Sequence, residues 1–109
     1  MKNNEHNKLL QLETDIVAIL KQVYDPEIPV NIYDLGLVYD IKIDDDNNVE
    51  IVMTLTAPNC PIADQILIEV KSRIEMHENV KSCNVNLVFD PPWDQTMMSE
   101  EALLELGML

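Results

Sequence analysis

Leu9, Leu12, Ile16, Ile19, Leu20 and Val23 recur at helical spacing and mark one apolar stripe along a first helix. Pro26 disfavours helical geometry at the residue before it, so this helix is expected to end near Tyr24. Two alternating runs follow. In the first, Leu37, Tyr39, Ile41 and Ile43 interleave with Val38, Asp40 and Lys42; in the second, Val49, Ile51, Met53 and Leu55 interleave with Glu50, Val52, Thr54 and Thr56. Both predict strands with one buried face, joined through Asp44-Asp45-Asp46-Asn47-Asn48 as an antiparallel hairpin. Ile62, Ala63, Ile66, Leu67, Val70 and Ile74 then trace a second helix that ends near Met76 to Asn79. A third strand places Cys83, Val85, Leu87 and Phe89 on one face, with Ser82, Asn84, Asn86 and Val88 on the other.

Because the outward strand positions are mostly polar, helices should cover one face of the sheet only. The expected fold is a two-layer α+β domain, helix-strand-strand-helix-strand, with a small mixed three-stranded sheet and a short C-terminal helix. A right-handed crossover through the second helix would make the second and third strands parallel. Asp90-Pro91-Pro92-Trp93 breaks the third strand. Ser99 then caps the last helix, Glu100 and Glu101 sit at its positive end, and Gly107 stops it.

At 109 residues and 47% hydrophobic content the chain is read as one domain over 9–109 behind a flexible tail at 1–8. No apolar run approaches the ~18 residues of a membrane span, and the first residues lead into no signal-type segment. Two cysteines, Cys60 and Cys83, form neither a disulfide framework nor a Cys-x-x-Cys pair. These features point to the cytoplasm and exclude a membrane partner. Twenty acidic against seven basic residues give a net charge of −13, and nothing from Phe89 to Leu109 is Lys or Arg. Nucleic acid is thereby disfavoured as a partner, since phosphate contacts need a basic surface. With Gly36 and Gly107 as the only glycines, no phosphate-cradling loop exists.

Candidate chemistry centres on Cys60, in Thr54-Leu55-Thr56-Ala57-Pro58-Asn59-Cys60-Pro61 between the second strand and the second helix. Asn tolerates a left-handed turn, Pro suits a first helical turn, and the free amides of a helix start favour a thiolate, so this position suits a metal ligand or a nucleophile. A compact residue in a structural turn is the competing account. Cys83 is expected to face the core as a small hydrophobe. His6, in the tail, and His77, at a helix end, are expected to be solvated. The stretch from Asp25 to Leu37 is stiffened by Pro26 and Pro29, and Gly36 allows a turn closed to other residues. Asp25, Glu27 and Asp34 serve there either as turn caps or as partners presented beside Cys60.

Taken together, DPEIPVNIYDLGLVYDI, TLTAPNCP and FDPPWDQTMMSEEALLELG resemble the small metal-sulfur cluster assembly family that includes the SufT and PaaD types, the MIP18-like domains. The resemblance covers all but the N-terminal tail. Its C-terminus is similar to the short bacterial SufT-like form, because the further cysteines of the PaaD branch are lacking. The resemblance implies a factor that matures iron-sulfur proteins, with Cys60 as metal ligand, Asp25, Glu27 and Asp34 as its acidic loop, and Thr54 and Thr56 as hydrogen-bonding neighbours. Asn59 stands where glycine is common in such a turn. One thiolate with oxygen donors is too few for a stable cluster in one chain. The cofactor expectation is therefore a transient iron-sulfur cluster or iron, held with help from a second subunit as a homodimer, a carrier or scaffold protein, or the client apoprotein. A protein-protein adaptor with a structural Cys60 is the alternative class, for which Ile68 on the polar side of its helix speaks. A thiol enzyme is the other, and no evident general base accompanies it.

Overall fold

The computed structural model describes residues 2–25, 28–56 and 63–107. Helix α1 (Lys2–Leu20) is followed by strands β1 (Val38–Ile43) and β2 (Asn48–Met53), helix α2 (Ala63–Glu75), strand β3 (Ser82–Leu87), a 3-10 turn (Gln95–Met97) and helix α3 (Glu100–Glu105). The sheet order is β1-β2-β3, with β1 antiparallel and β3 parallel to β2. This is the mixed three-stranded, two-layer α+β arrangement the pattern predicts.

Alternation along β2 decides which face is buried. Val49, Ile51 and Met53 are buried, and their register partners Ile43, Ile41 and Val38 on β1, with Cys83, Val85 and Leu87 on β3, share that face. Leu12, Ile16, Leu20 and Val23 from the first helical stripe close over it, as do Ile66, Val70 and Ile74 from α2. Polar residues of the other face, including Ser82, Asn84 and Asn86, stay exposed. Asn47, at φ 63, turns the β1-β2 hairpin. The Asp44 carboxylate braces it by accepting from the amides of Asp46 and Asn48 at 2.9 Å each.

Several boundaries and faces differ from expectation. Helix α1 runs from Lys2 and ends at Leu20, because Gln22 and Val23 already hydrogen-bond three residues back rather than four. Leu9 is 38% exposed, and so lies off the buried stripe. A bulge between Val38 and Asp40 inserts Tyr39 as an extra residue, so Val38 rather than Tyr39 shares a face with Ile41. Phe89 lies beyond the end of β3 and is 46% exposed. Among the described residues, no helix is long and apolar enough to cross a membrane.

Candidate functional site

Three chain segments meet at the end of the sheet where β2 and β3 finish and β1 begins. The Thr54 amide donates to Leu37 O at 2.8 Å and the Val88 amide to Met53 O at 2.8 Å, so both parallel strands and the entry to β1 are tied together there. From this end the chain leaves Thr56 towards α2 through residues 57–62, which include Cys60.

The 25–37 loop reaches the same end by a folded path. Tyr24 and Asn31 form a bridge, the Asp25 amide donates to Val30 O at 3.2 Å, and Ile32 donates to Val23 O at 2.8 Å. Val30, Ile32, Leu35 and Leu37 are all buried, which anchors a segment without regular structure. Asp25 is 6% exposed, and its carboxylate accepts from the Ile28 amide at 3.1 Å. Asp34 is half-buried. Its amide donates to Asn31 Oδ1 at 2.8 Å, and its carboxylate accepts from Asn31 Nδ2 at 2.9 Å. Both carboxylates thus brace the turns they sit in.

Beyond β3 a C-terminal arm folds back onto this loop. Trp93 Nε1 donates to Leu35 O at 2.7 Å, and the Ser99 amide donates to Asp34 O at 2.8 Å. The Tyr39 phenol donates to Pro91 O at 2.8 Å and lies 3.7 Å from Met97 Sδ. Met98 and Ala102 are the buried residues of the arm's own core-facing side. Gly36, at φ +81, packs directly on the Met97 backbone, so no side chain fits between them. The arm ends as its sequence predicts: Ser99 Oγ accepts from the Ala102 amide at 3.1 Å, and Gly107 takes φ +72.

Of the sequence-predicted site residues, Thr54 is buried at the strand end and Thr56 is half-buried two residues further on. Cys60 and Glu27 lie outside the described residues. Cys83 faces the core as expected, 2% exposed, and burial pushes its thiol up to about 11. Among the described residues no three His, Cys, Asp or Glu side chains group to hold a metal ion. His77 is not simply solvated: its Nδ1 accepts from the Asn79 amide at 3.0 Å, which leaves Nε2 to donate to Asp15 Oδ2 at 2.9 Å. That bond holds the Asp15 carboxyl below its usual range.

Tyr39 was not legible as part of this end of the sheet, because strict alternation assigns it to the core. Desolvation raises its phenol above the usual range, with the nearby Thr54 hydroxyl opposing the shift and Asp90 adding to it. Thr54 Oγ1 nevertheless meets no partner within hydrogen-bonding geometry, although the phenol, whose proton goes to Pro91 O, keeps lone pairs free to accept.

Residues 13–87 match the family model described as iron-sulfur cluster assembly protein. The chain belongs to this family. It is 54% identical over 104 residues to an Fe-S protein maturation auxiliary factor of Porphyromonas gingivalis, covering 95% of this chain and 99% of the relative. It is 40% identical over 86 residues to the Fe-S protein maturation auxiliary factor SufT of Staphylococcus aureus, covering 79% and 98%. A crystal structure of a DUF59 domain from Bacillus anthracis superposes with a TM-score of 0.84 at 41% identity, over 91% of this chain and 94% of that one. The family expected from the three motifs and the α+β fold expected from the hydrophobic pattern are thereby confirmed, and the matched residues span β1, β2, α2 and β3 together with the 25–37 loop.

Proposed function

We propose that this iron-sulfur cluster assembly protein assists delivery of clusters to apoproteins, with Cys60 as a transient ligand to iron or to a cluster in transit. The observation that carries this reading is the position of the other thiol. Cys83 is sealed in the core with its proton held to about pH 11, so Cys60 is the one cysteine left to meet a soft metal. A cluster asks for several thiolates, and one chain supplies one. The remaining ligands then come from the cargo's donor or recipient: a carrier or scaffold protein, a client apoprotein, or a second copy of this chain. Asp25, Glu27 and Asp34 shape and orient the site rather than act as an acid-base pair, which agrees with Asp25 and Asp34 bracing their own turns. Thr54 and Thr56 lead into the segment that carries Cys60.

The test is genetic and biochemical at once. Loss of the protein should lower the activity of an aconitase-type enzyme without lowering its polypeptide level, and Cys60→Ser should fail to restore it although the variant folds. A hydroxyl matches the thiol in size but is a poor ligand for soft metals. Full rescue by folded Cys60→Ser would remove the ligand role. It would leave the adaptor reading, which the 63% exposed Ile68 on α2 favours.

A further inference from the structure

Strand β3 is an edge of the sheet, and its backbone is guarded along only part of its length. The Val88 amide donates to Met53 O, so even positions of this strand turn their main-chain groups towards β2 and odd positions turn theirs outwards. Cys83, the first outward residue, is covered by α2: Glu75 Oε2 accepts from its amide at 3.1 Å, and Lys71 Nζ donates to its carbonyl at 2.7 Å. At Val85 and Leu87 that cover stops. Among the described residues nothing bonds their outward N–H and C=O groups. Ile68 lies one turn before Lys71 on the same flank of α2 and is 63% exposed. Because α2 runs opposite to the parallel strands it connects, that step back along the helix is a step from Cys83 towards Val85 along β3. Proteins that protect an edge place charge beside it, and here a large apolar side chain stands instead.

We propose that the open stretch of β3 beside Ile68 is a docking edge for an extended segment of a partner protein, apolar towards α2 and basic on its other face. Only a strand matches a row of N–H and C=O groups at strand spacing, with side chains alternating between the helix and the open face of the sheet. Charge selects among strands. The chain carries −13, and from Phe89 to Leu109, directly beyond β3, it has no Lys or Arg. A second copy brings the same charge and is repelled, whereas a basic segment is drawn in. The cover on Cys83 sets where the added strand stops, because Lys71 and Glu75 already occupy the bonds it would make there. This deepens the delivery reading by naming how a partner is held, yet it needs no role for Cys60, so either can fail alone.

The probe is a short capped peptide of alternating lysine and valine, titrated into the isotope-labelled protein while amide NMR signals are followed. A strand added to an edge uses the N–H groups of one of its own sides only. Two N-methylated forms, one blocked on the valines and one on the lysines, therefore separate pairing from general attraction. The Val85 and Leu87 amides should shift while that of Cys83 stays in place. One methylated form should bind about fivefold or more weakly and the other should keep the parent affinity. Ile68→Ser should leave the melting temperature unchanged and weaken binding about fivefold. The same peptide with glutamate for lysine should not bind. Shifts spread over the acidic surface without Val85 and Leu87, equal binding by both methylated forms, or no binding at all would overturn the docking edge, as would an Ile68→Ser variant of parent affinity. Equal binding of the glutamate peptide would overturn the basic partner. A free protein that sediments as a dimer, with the Val85 and Leu87 amides already protected from hydrogen exchange, would give the edge to a second copy and overturn it too.

Discussion

Gly36→Ala is the sharpest test of how the C-terminal arm holds the 25–37 loop. The glycine sits at φ +81, where an alanine costs about 1–2 kcal/mol. Its Cβ would also overlap the Met97 carbonyl and lie 2.8 Å from Met97 C and 2.9 Å from Met97 Cβ. The obstruction is backbone and cannot rotate away, so the arm or the loop has to move, at an overpacking cost of about 1–3 kcal/mol. The total of about 2–5 kcal/mol is a large share of the ~5–15 kcal/mol that stabilises a domain. Gly107 supplies an internal control: at φ +72 it has nothing within 4 Å, so Gly107→Ala isolates the backbone cost. Urea unfolding followed by far-UV circular dichroism gives both stabilities. Trp93, the chain's single tryptophan, is anchored to Leu35 O next to the collision and reports arm docking through its emission. Gly36→Ala should be the less stable of the two by about 1–3 kcal/mol, with red-shifted native emission. Equal losses, with Trp93 emission unchanged, would show that the arm yields freely and refute the reasoning.

Tyr39→Phe removes the donor to Pro91 O and should cost about 1 kcal/mol in urea unfolding while shifting Trp93 emission; an unshifted spectrum would mean the phenol does not hold the arm. An aromatic disulfide reagent should titrate one thiol in the native protein and two in denaturant, since Cys83 is buried with its thiol raised to about 11; two fast native thiols would contradict that burial. Glu75 accepts from the Cys83 amide and from Lys71, which together hold its carboxyl below the ordinary 4.5. A depressed carboxylate stabilises the fold above its unfolded pKa, and that contribution is lost as pH falls through the lower folded value. Glu75→Gln should therefore be less stable than the parent at neutral pH and converge with it in acid, whereas a pH-independent gap in denaturation midpoints would exclude the ionic contribution.

The sheet was legible because its chemistry is repetitive. Val49, Ile51 and Met53 obey a period of two that only a strand satisfies, and their register then assigned faces to both neighbours. The arm's last helix was legible for a different reason: Ser99, Glu100, Glu101 and Gly107 each answer a local backbone need and require no tertiary information. Tyr39 failed as a core assignment because a bulge adds one residue without leaving a mark in hydrophobicity, so Val38 takes the place on the core face that strict alternation gives to Tyr39. Asp25 and Asp34 were ambiguous in sequence, since a carboxylate beside a proline or asparagine serves a turn and a metal equally well. Their hydrogen bonds at 3.1 and 2.9 Å show that both carboxylates support the loop.

What joins the arm to the loop was the least legible part, and the reason is physical. The acceptors are main-chain carbonyls, Leu35 O, Asp34 O and Pro91 O, which every sequence possesses, so only the donors leave a trace. Of those donors, the Ser99 amide is equally anonymous, whereas the indole and the phenol are distinctive but fit a core or a contact surface just as readily. Gly36 is the exception. A glycine before a strand reads as a turn, yet the Met97 backbone lying against it makes it also the point where two distant motifs touch. The first and third sequence motifs therefore form one clasp around the strand end, and the second motif, which carries Cys60, starts from the strand that this clasp holds in place.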